Sequence, residues 1–158
     1  ELEGARRAKG LAFQPLSIVL TRSGQLQPDT PLFQNPPRPP LIITTPEGAA
    51  SLPPEIEASS MVETLAEPTP AAVAQLLWEK HGVKRLLVEG GPSVNFQFMQ
   101  AQILDELFIT LAPKLVGLLS DLTLAMGGQL LPQPREVELL SVHRHGQELF
   151  LRYRLHWQ

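Results

Sequence analysis

The first half of the chain alternates short apolar runs with polar or chain-breaking residues. Leu16–Leu20 is rich in branched side chains and stops at the polar turn 21–24, and Leu41–Thr45 repeats this pattern and stops at Pro46. Runs of this length closed by turn residues are typical of buried strands, so both runs are predicted as strands. A weaker third strand is expected near residues 59–62.

A helix is predicted over residues 70–81. Thr69 suits the N-cap, Pro70 the first helical position, and Gly82 the position just after the last turn. An apolar strand over residues 84–89 follows after a short turn. A helix followed directly by a strand is the rhythm of a parallel sheet.

The strand over residues 84–89 ends at the glycine pair 90–91, and Pro92 opens a second helix that is predicted to reach about Gln102. Such a junction directs free backbone N–H groups and the positive end of a helix dipole at one point. Phosphate binding and a plain tight turn both fit this pattern. Glu89 stands at the carboxyl end of the strand, where open α/β sheets bind ligands, and is either a site residue or a solvated carboxylate.

The last third of the chain predicts another strand and a C-terminal antiparallel hairpin. Residues 106–112 form an apolar run that is predicted as a strand ending at Pro113, whereas residues 114–135 have no clean period. A less regular strand over residues 137–142 leads to Gly146-Gln147, and glycine first in a two-residue turn is typical of a type II′ hairpin. Apolar positions then recur with a period of two, which predicts a half-buried strand. These positions are Leu149, Leu151, Tyr153, Leu155 and Trp157.

Together these elements predict an α/β fold whose sheet is parallel in the middle and ends in an antiparallel hairpin. The 158 residues, 43% of them hydrophobic, are predicted to form one domain, 1–158, with a loose or partly helical lead-in at residues 1–14. The 16 prolines cluster between the apolar runs, so they mark connections.

Composition argues against several classes of function. The net charge is -3 with no basic block, which disfavours nucleic-acid binding. The absence of Cys excludes disulfides and thiolate sites and fits a cytoplasmic protein. No apolar run approaches the ~20 residues of a membrane span, and no signal peptide is visible.

Metal, paired-acid and hydrolase chemistry find little support in the sequence. His143 and His145 share one face of a strand, and His156 falls in a strand that can pair with it. A metal site needs three or four converging ligands, so no metal site is predicted. Asp105 and Glu106 are adjacent in a strand and point to opposite faces. Neither G-x-S-x-G nor H-E-x-x-H occurs.

Three sequence blocks resemble, in motif and spacing, the C-terminal reductase domain of bacterial riboflavin-biosynthesis proteins. They are Leu87-Val88-Glu89-Gly90-Gly91-Pro92-Ser93, Asp105-Glu106-Leu107 and Leu111-Ala112-Pro113-Lys114-Leu115-Val116-Gly117. Residues 15–24 and 40–45 resemble the two preceding strands of that family, and residues 151–154 resemble its last strand. The likeness spans roughly residues 15 to 157.

This resemblance implies a dihydrofolate-reductase-like three-layer fold with a mostly parallel central sheet. It also implies an NADPH-dependent reductase of the 5-amino-6-(5-phosphoribosylamino)uracil type in riboflavin biosynthesis. The cofactor pyrophosphate would lie along residues 90–95, that is, Gly90, Gly91, Pro92, Ser93, Val94 and Asn95. The adenosine end would meet Thr21, Arg22 and Ser23, and Arg22 is either the reader of the 2′-phosphate or a surface arginine. Thr44 and Thr45 would lie near the adenine ribose, and Glu89 would accept hydrogen bonds from the substrate.

The resemblance also implies a homodimer, formed through the apolar face of the last strands. Two departures from the family pattern leave other functions open. The first strand and substrate loop of the family have no counterpart here, and residues 117–121 are less glycine-rich than usual. A non-catalytic nucleotide-binding or regulatory remnant, or a reductase of a pteridine-like substrate, are therefore the alternatives. No residue of the chain is an evident proton donor for the reduction.

Overall fold

The computed structural model of this protein describes residues 2–115, 123–128 and 134–157. The chain divides into two compact units, Glu1–Leu76 and Leu77–Gln158. A parallel sheet lies in the first unit and an antiparallel sheet in the second. The predicted α/β class, with parallel strands followed by an antiparallel hairpin, is confirmed.

The first unit is built on a parallel sheet of order β1-β2-β3. Its elements are α1 (Leu2–Ala8), β1 (Ile18–Leu20), β2 (Leu41–Thr44), α2 (Pro46–Ala50), α3 (Pro54–Ser59), β3 (Met61–Thr64) and the start of α4 (Pro70–His81). All three predicted strands are present, although β1 begins two residues later than predicted and β3 is shifted toward the C-terminus. The predicted helix over residues 70–81 is confirmed.

The core of the first unit lies around its central strand. Leu41, Ile42 and Ile43 of β2 are fully buried. Ile42 forms a cluster with Phe33 and Leu52, which lie in loops, and with Ile56 of α3. A strand that has neighbours on both edges and cover on both faces favours a continuous apolar run, which is the pattern seen here.

Two short helices, α2 and α3, are not predicted by the sequence patterns. Pro46 follows the strand β2 and also occupies the first turn of α2, and Pro54 occupies the first turn of α3. Proline suits this position because its missing N–H would be unpaired there in any case. The prolines between the apolar runs therefore start helices as well as mark connections.

The second unit carries an antiparallel sheet of order β4-β6-β5. Its elements after α4 are α5 (Pro92–Gln100), β4 (Glu106–Leu111), β5 (Val137–His145) and β6 (Glu148–Leu155). Gly146 has a positive φ of 59° while Gln147 does not, and His145 pairs with Glu148 across them. This is the conformation of a type II′ turn, as predicted.

The predicted strand over residues 84–89 is wrong for this structure. Residues 82–91 have no regular secondary structure, and Leu86 and Leu87 are 39% and 69% exposed. No backbone hydrogen bond joins residues 84–90 to another described residue. An apolar run becomes a strand only when a neighbouring strand accepts its ladder hydrogen bonds, and sequence alone does not supply that neighbour.

The two faces of the antiparallel sheet differ in chemistry. One face, here called the apolar face, carries Leu107, Ile109, Leu111, Val137, Leu139, Val142, Leu149, Leu151, Tyr153 and Leu155, with Arg144 opposite Leu149 at the hairpin end. The charged face carries an ion pair in which Arg152 donates to both carboxylate oxygens of Glu106, at 2.6 and 2.8 Å. These hydrogen bonds hold the pKa of Glu106 below its usual value.

Among the described residues, no three His, Asp or Glu side chains converge as a metal site would require. Across the same residues, no helix has both the length and the apolarity needed to cross a bilayer.

Candidate functional site

The residues predicted to bind a cofactor fall in both units. Thr21, Arg22, Ser23 and Thr44 belong to the first unit, whereas residues 89–95 belong to the second.

The first group lies at the carboxyl ends of β1 and β2. The Thr21 N–H donates to the Ile43 carbonyl at 3.1 Å, which extends the pairing of the two strands by one step. The chain then turns, and the Gly24 N–H donates to the Thr21 hydroxyl at 3.2 Å. Gly24 has a φ of +68°, which only glycine adopts without strain. The turn predicted at residues 21–24 is therefore present and fixed by its own hydrogen bonds.

Thr44 and Thr45 are buried at the end of β2, at 0% and 6% exposure. The Thr45 hydroxyl caps α2 by accepting from the Gly48 N–H at 3.0 Å. The Thr44 hydroxyl has no hydrogen-bond partner among the described atoms and lies against Gly48. In this conformation Thr44 supports the turn from inside, and its side chain offers no surface to a ligand.

Arg22 presents a free cation at this strand end. Its side chain is exposed and forms no ion pair with any described residue. A guanidinium offers up to five donors in a planar fork, a geometry that matches two oxygens of one phosphate group. Ser23 beside it is also exposed, and its hydroxyl accepts from the Gln25 N–H at 3.3 Å.

The second group surrounds the N-terminus of α5. Gly91 is the N-cap, with no side-chain hydrogen bond to the helix, and Pro92 holds the first helical position. The Asn95 N–H donates the first hydrogen bond of the helix, to the Gly91 carbonyl at 3.1 Å. Because proline has no N–H, the donors that remain in the first turn are the N–H groups of Ser93 and Val94. Neither is bonded to another described residue. Together with the helix dipole, these donors favour an anion.

The two glycines before α5 differ in what a side chain at their position would meet. A Cβ on Gly90 would approach the Cβ of Val94 to 2.6 Å, and a β-branched side chain cannot easily move away. A Cβ on Gly91 would meet nothing within 4 Å, and the φ of Gly91 is -64°, which any residue adopts. Gly91 therefore leaves open the space in front of the free N–H groups, where a ligand can approach the backbone.

One contact to this group was not foreseen from the sequence. The Asn95 side-chain amide donates to the Leu124 carbonyl at 2.9 Å, and the Met126 N–H donates to the Pro92 carbonyl at 2.9 Å. A Cβ on Gly127 would overlap the ring of Phe96. Residues 124–127 therefore pack along the start of α5, and the amide of Asn95 is used to hold them. The unusual stretch 117–121 lies outside the described residues.

Glu89 directly precedes the glycine pair, and its side chain is exposed. No hydrogen bond or ion pair joins it to another residue in the described part of the chain. An unpaired carboxylate beside a helix N-terminus is available to accept hydrogen bonds from N–H or O–H groups of a ligand.

Each of these two groups has features that fit a phosphate group of a ligand. The uncapped first turn of α5 supplies two orphan donors and a cradle that a Cβ at Gly91 would begin to fill. The first unit supplies an exposed, unpaired guanidinium on a fixed turn. Both are the chemistry that phosphate groups require.

The chain matches a protein-family model over most of its length. Residues 2–151 match the family described as the RibD C-terminal domain. None of the curated proteins compared with the chain matches it in sequence.

Several solved structures share the fold of this chain. A pyrimidine reductase-like protein from Corynebacterium diphtheriae is similar with a TM-score of 0.79 and 20% identity, over 99% of this chain and 67% of that one. RibD from Acinetobacter baumannii is similar with a TM-score of 0.73 and 20% identity, over 94% of this chain and 40% of that one.

A third similar structure is a deaminase/5-amino-6-(5-phosphoribosylamino)uracil reductase from Thermotoga maritima. Its TM-score is 0.70 at 20% identity, over 90% of this chain and 38% of that one. The chain thus spans about two fifths of the length of these two longer proteins. At such identities the likeness establishes the fold.

Proposed function

The chain belongs to the RibD C-terminal domain family, a family of oxidoreductases, and on that premise we propose that it is an NADPH-dependent pyrimidine reductase of riboflavin biosynthesis. Its substrate would be 5-amino-6-(5-phosphoribosylamino)uracil, the compound in the description of the Thermotoga maritima protein. The observation that carries the proposal is the uncapped N-terminus of α5, with its open glycine and two free N–H donors.

The proposal gives each group of residues a task. The N–H groups of Ser93 and Val94 bind the cofactor pyrophosphate, which Gly91 allows to approach the backbone. The guanidinium of Arg22 binds the 2′-phosphate, which distinguishes NADPH from NADH. Glu89 accepts hydrogen bonds from the pyrimidine edge or the ribosyl group of the substrate.

In this reaction the chain acts by holding groups in place. NADPH, when bound, supplies the hydride. The residues described above bind and orient the cofactor and the substrate. Correct orientation of the two reactants contributes a large part of the rate enhancement of a hydride transfer.

We also propose that the protein forms a homodimer through the apolar face of the antiparallel sheet. Leu111, Leu139 and Val142 on that face are 57%, 52% and 50% exposed. Antiparallel sheets normally bury one face, and apolar side chains that are exposed on β4 and β5 and half-buried on β6 favour a partner surface.

The test of the cofactor site is Gly91→Val. We expect calorimetric titration to show NADPH affinity lower by about 30-fold or more, because charge-assisted hydrogen bonds to phosphate are worth about 2 kcal/mol. The fold should persist, since a Cβ at this position meets no other atom. Gly4→Val is the matched control, because a Cβ at Gly4 is equally unopposed but lies in α1.

Unchanged NADPH affinity in a folded Gly91→Val variant would exclude the N-terminus of α5 as the phosphate site. NADPH binding without turnover of the aminouracil ribosyl phosphate would favour the non-catalytic alternative.

A further inference from the structure

The turns that follow β1 and β2 are in direct backbone contact. A Cβ on Gly24 would overlap the Gly48 carbonyl, and a Cβ on Gly48 would lie 2.5 Å from the Arg22 carbonyl oxygen. Both glycines are buried. No side chain larger than hydrogen fits at either position, so the Arg22 main chain rests on the first turn of α2.

A single hydroxyl joins the same two segments. Thr45 donates a hydrogen bond to the Arg22 carbonyl at 3.2 Å and accepts one from the Gly48 N–H at 3.0 Å. Its hydroxyl is thus used on both sides, once as a donor and once as an acceptor. Because Thr45 is only 6% exposed, water is largely excluded from competing for these partners.

Arg22 itself contrasts with this fixed backbone. Its side chain is exposed and unpaired among the described residues, and a long cationic side chain loses much rotamer freedom when it is held by a ligand. A main chain that is already fixed adds no further ordering cost when the guanidinium binds a phosphate. Rigid support from a residue that does not touch the ligand is how binding groups are commonly held in productive geometry.

We propose that Thr45 is a positioning residue that fixes the Arg22 main chain and so determines the preference for NADPH over NADH. This inference rests on the proposed function, since it assigns the 2′-phosphate to Arg22. Thr45 acts through its hydrogen bond to the Arg22 carbonyl and does not contact the cofactor.

The experiment is calorimetric titration of NADPH and of NADH into the full chain and its variants. We expect Thr45→Val to weaken NADPH binding about fivefold, the effect of losing one ordinary hydrogen bond. NADH binding should change less than about twofold, because the cofactor then lacks the phosphate that Arg22 binds. Thr45→Ser keeps the hydroxyl and should retain the wild-type preference.

Thr69→Val is the matched control for the loss of a helix cap. The Thr69 hydroxyl accepts from the Ala72 N–H at 3.3 Å at the start of α4, and no hydrogen bond links it to Arg22. This variant should lose a similar local interaction and keep the NADPH preference. If Thr45→Val does not fold, Thr45→Ala takes its place, since it removes the same two hydrogen bonds without placing a methyl group against the carbonyl.

Arg22→Gln separates failure of this inference from failure of the proposed function. If the wild type binds neither nucleotide, the proposed cofactor is wrong. If Arg22→Gln keeps the preference for NADPH, the assignment of the 2′-phosphate to Arg22 is wrong, and in either case the positioning role of Thr45 is excluded as well. If Arg22→Gln loses the preference but Thr45→Val keeps it, only the positioning role is wrong. An equal loss of NADPH and NADH affinity in Thr45→Val would also overturn the positioning role.

Discussion

The central strands of the two sheets are buried to very different degrees. In β2, Leu41, Ile42 and Ile43 are fully buried, whereas the apolar positions of β6 are only half-buried and alternate with exposed residues such as Arg152. Both strands have a neighbour on each edge. The difference therefore lies in how the faces of the two strands are covered. Both faces of β2 are covered. In β6, one face carries ion pairs and the other is part of the apolar face.

This contrast follows from the direction of the strands. Parallel sheets are covered on both sides, so their strands consist of continuous apolar runs, such as Leu41-Ile42-Ile43. Antiparallel sheets tolerate a polar face, so their strands alternate, as Leu151, Arg152 and Tyr153 do. Each apolar side chain around β2 should accordingly contribute more to the free energy of unfolding than each apolar side chain around β6.

The largest expected effect is a cavity in the β2 core. Ile42→Ala should reduce the free energy of unfolding of the first unit by about 3 kcal/mol, because Ile42 is fully buried against Phe33, Leu52 and Ile56. Leu151→Ala in β6, the matched variant, should cost only about 1 kcal/mol, since its side chain is half-buried. Urea denaturation followed by circular dichroism measures both values. Equal losses at the two positions would contradict the contrast.

The second effect concerns the apolar face of the antiparallel sheet. Val142 pairs with Leu151 near the middle of that face and is 50% exposed. If the face is the proposed dimer interface, Val142→Lys should weaken dimerisation more than about tenfold, because a charge there is buried without a partner. Sedimentation equilibrium measures the dissociation constant.

Phe150→Lys is the control for this variant, because Phe150 is 38% exposed on the charged face. It should leave the dimer unchanged. A wild-type chain that sediments as a monomer, or an equal response to both variants, would show that this face has another role.

The same contrast explains how far the sequence alone could predict the fold. The continuous apolar run of β2 and the apolar-polar alternation of β6 identify these strands. The order of apolar and polar residues differs between a strand that is buried on both faces and one that is buried on a single face. The helix α4 was found from Thr69 and Pro70, which act on their immediate neighbours. Local signals of this kind need no knowledge of the rest of the chain.

Interactions between distant residues were not accessible in this way. The run over residues 84–89 has the composition of a strand, but pairing depends on a partner elsewhere. Gly24 and Gly48 are each ordinary in sequence, and only the fold brings their backbones into contact. The candidate phosphate site at α5 was predicted from Gly90-Gly91-Pro92, whereas the support from residues 124–127 was not.

The smallest effect is electrostatic and belongs to the charged face. Arg152 donates two hydrogen bonds to Glu106 and lies over the ring of Phe108, with its guanidinium carbon 5.6 Å from the ring centre. The hydrogen bonds lower the pKa of Glu106 from its ordinary value of 4.5, so the folded chain binds the proton less readily than the unfolded chain. The stabilisation is therefore fully present above that ordinary value and is lost as the pH falls through the lowered pKa.

Glu106→Gln should accordingly lower the urea midpoint slightly at pH 7, and the difference from wild type should shrink as the pH falls through the lowered pKa of Glu106. Glu136→Gln is the matched control, because Glu136 has no ion pair among the described residues and should show no such dependence. A small effect is expected because the Arg152 and Glu106 side chains are 46% and 28% exposed, and water and salt screen such pairs. A difference between wild type and Glu106→Gln that stayed constant with pH would assign the role of Glu106 to packing. The charged face would then stabilise the sheet through the contact of Arg152 with Phe108. The two sheets would differ in stability only because their side chains are buried to different degrees.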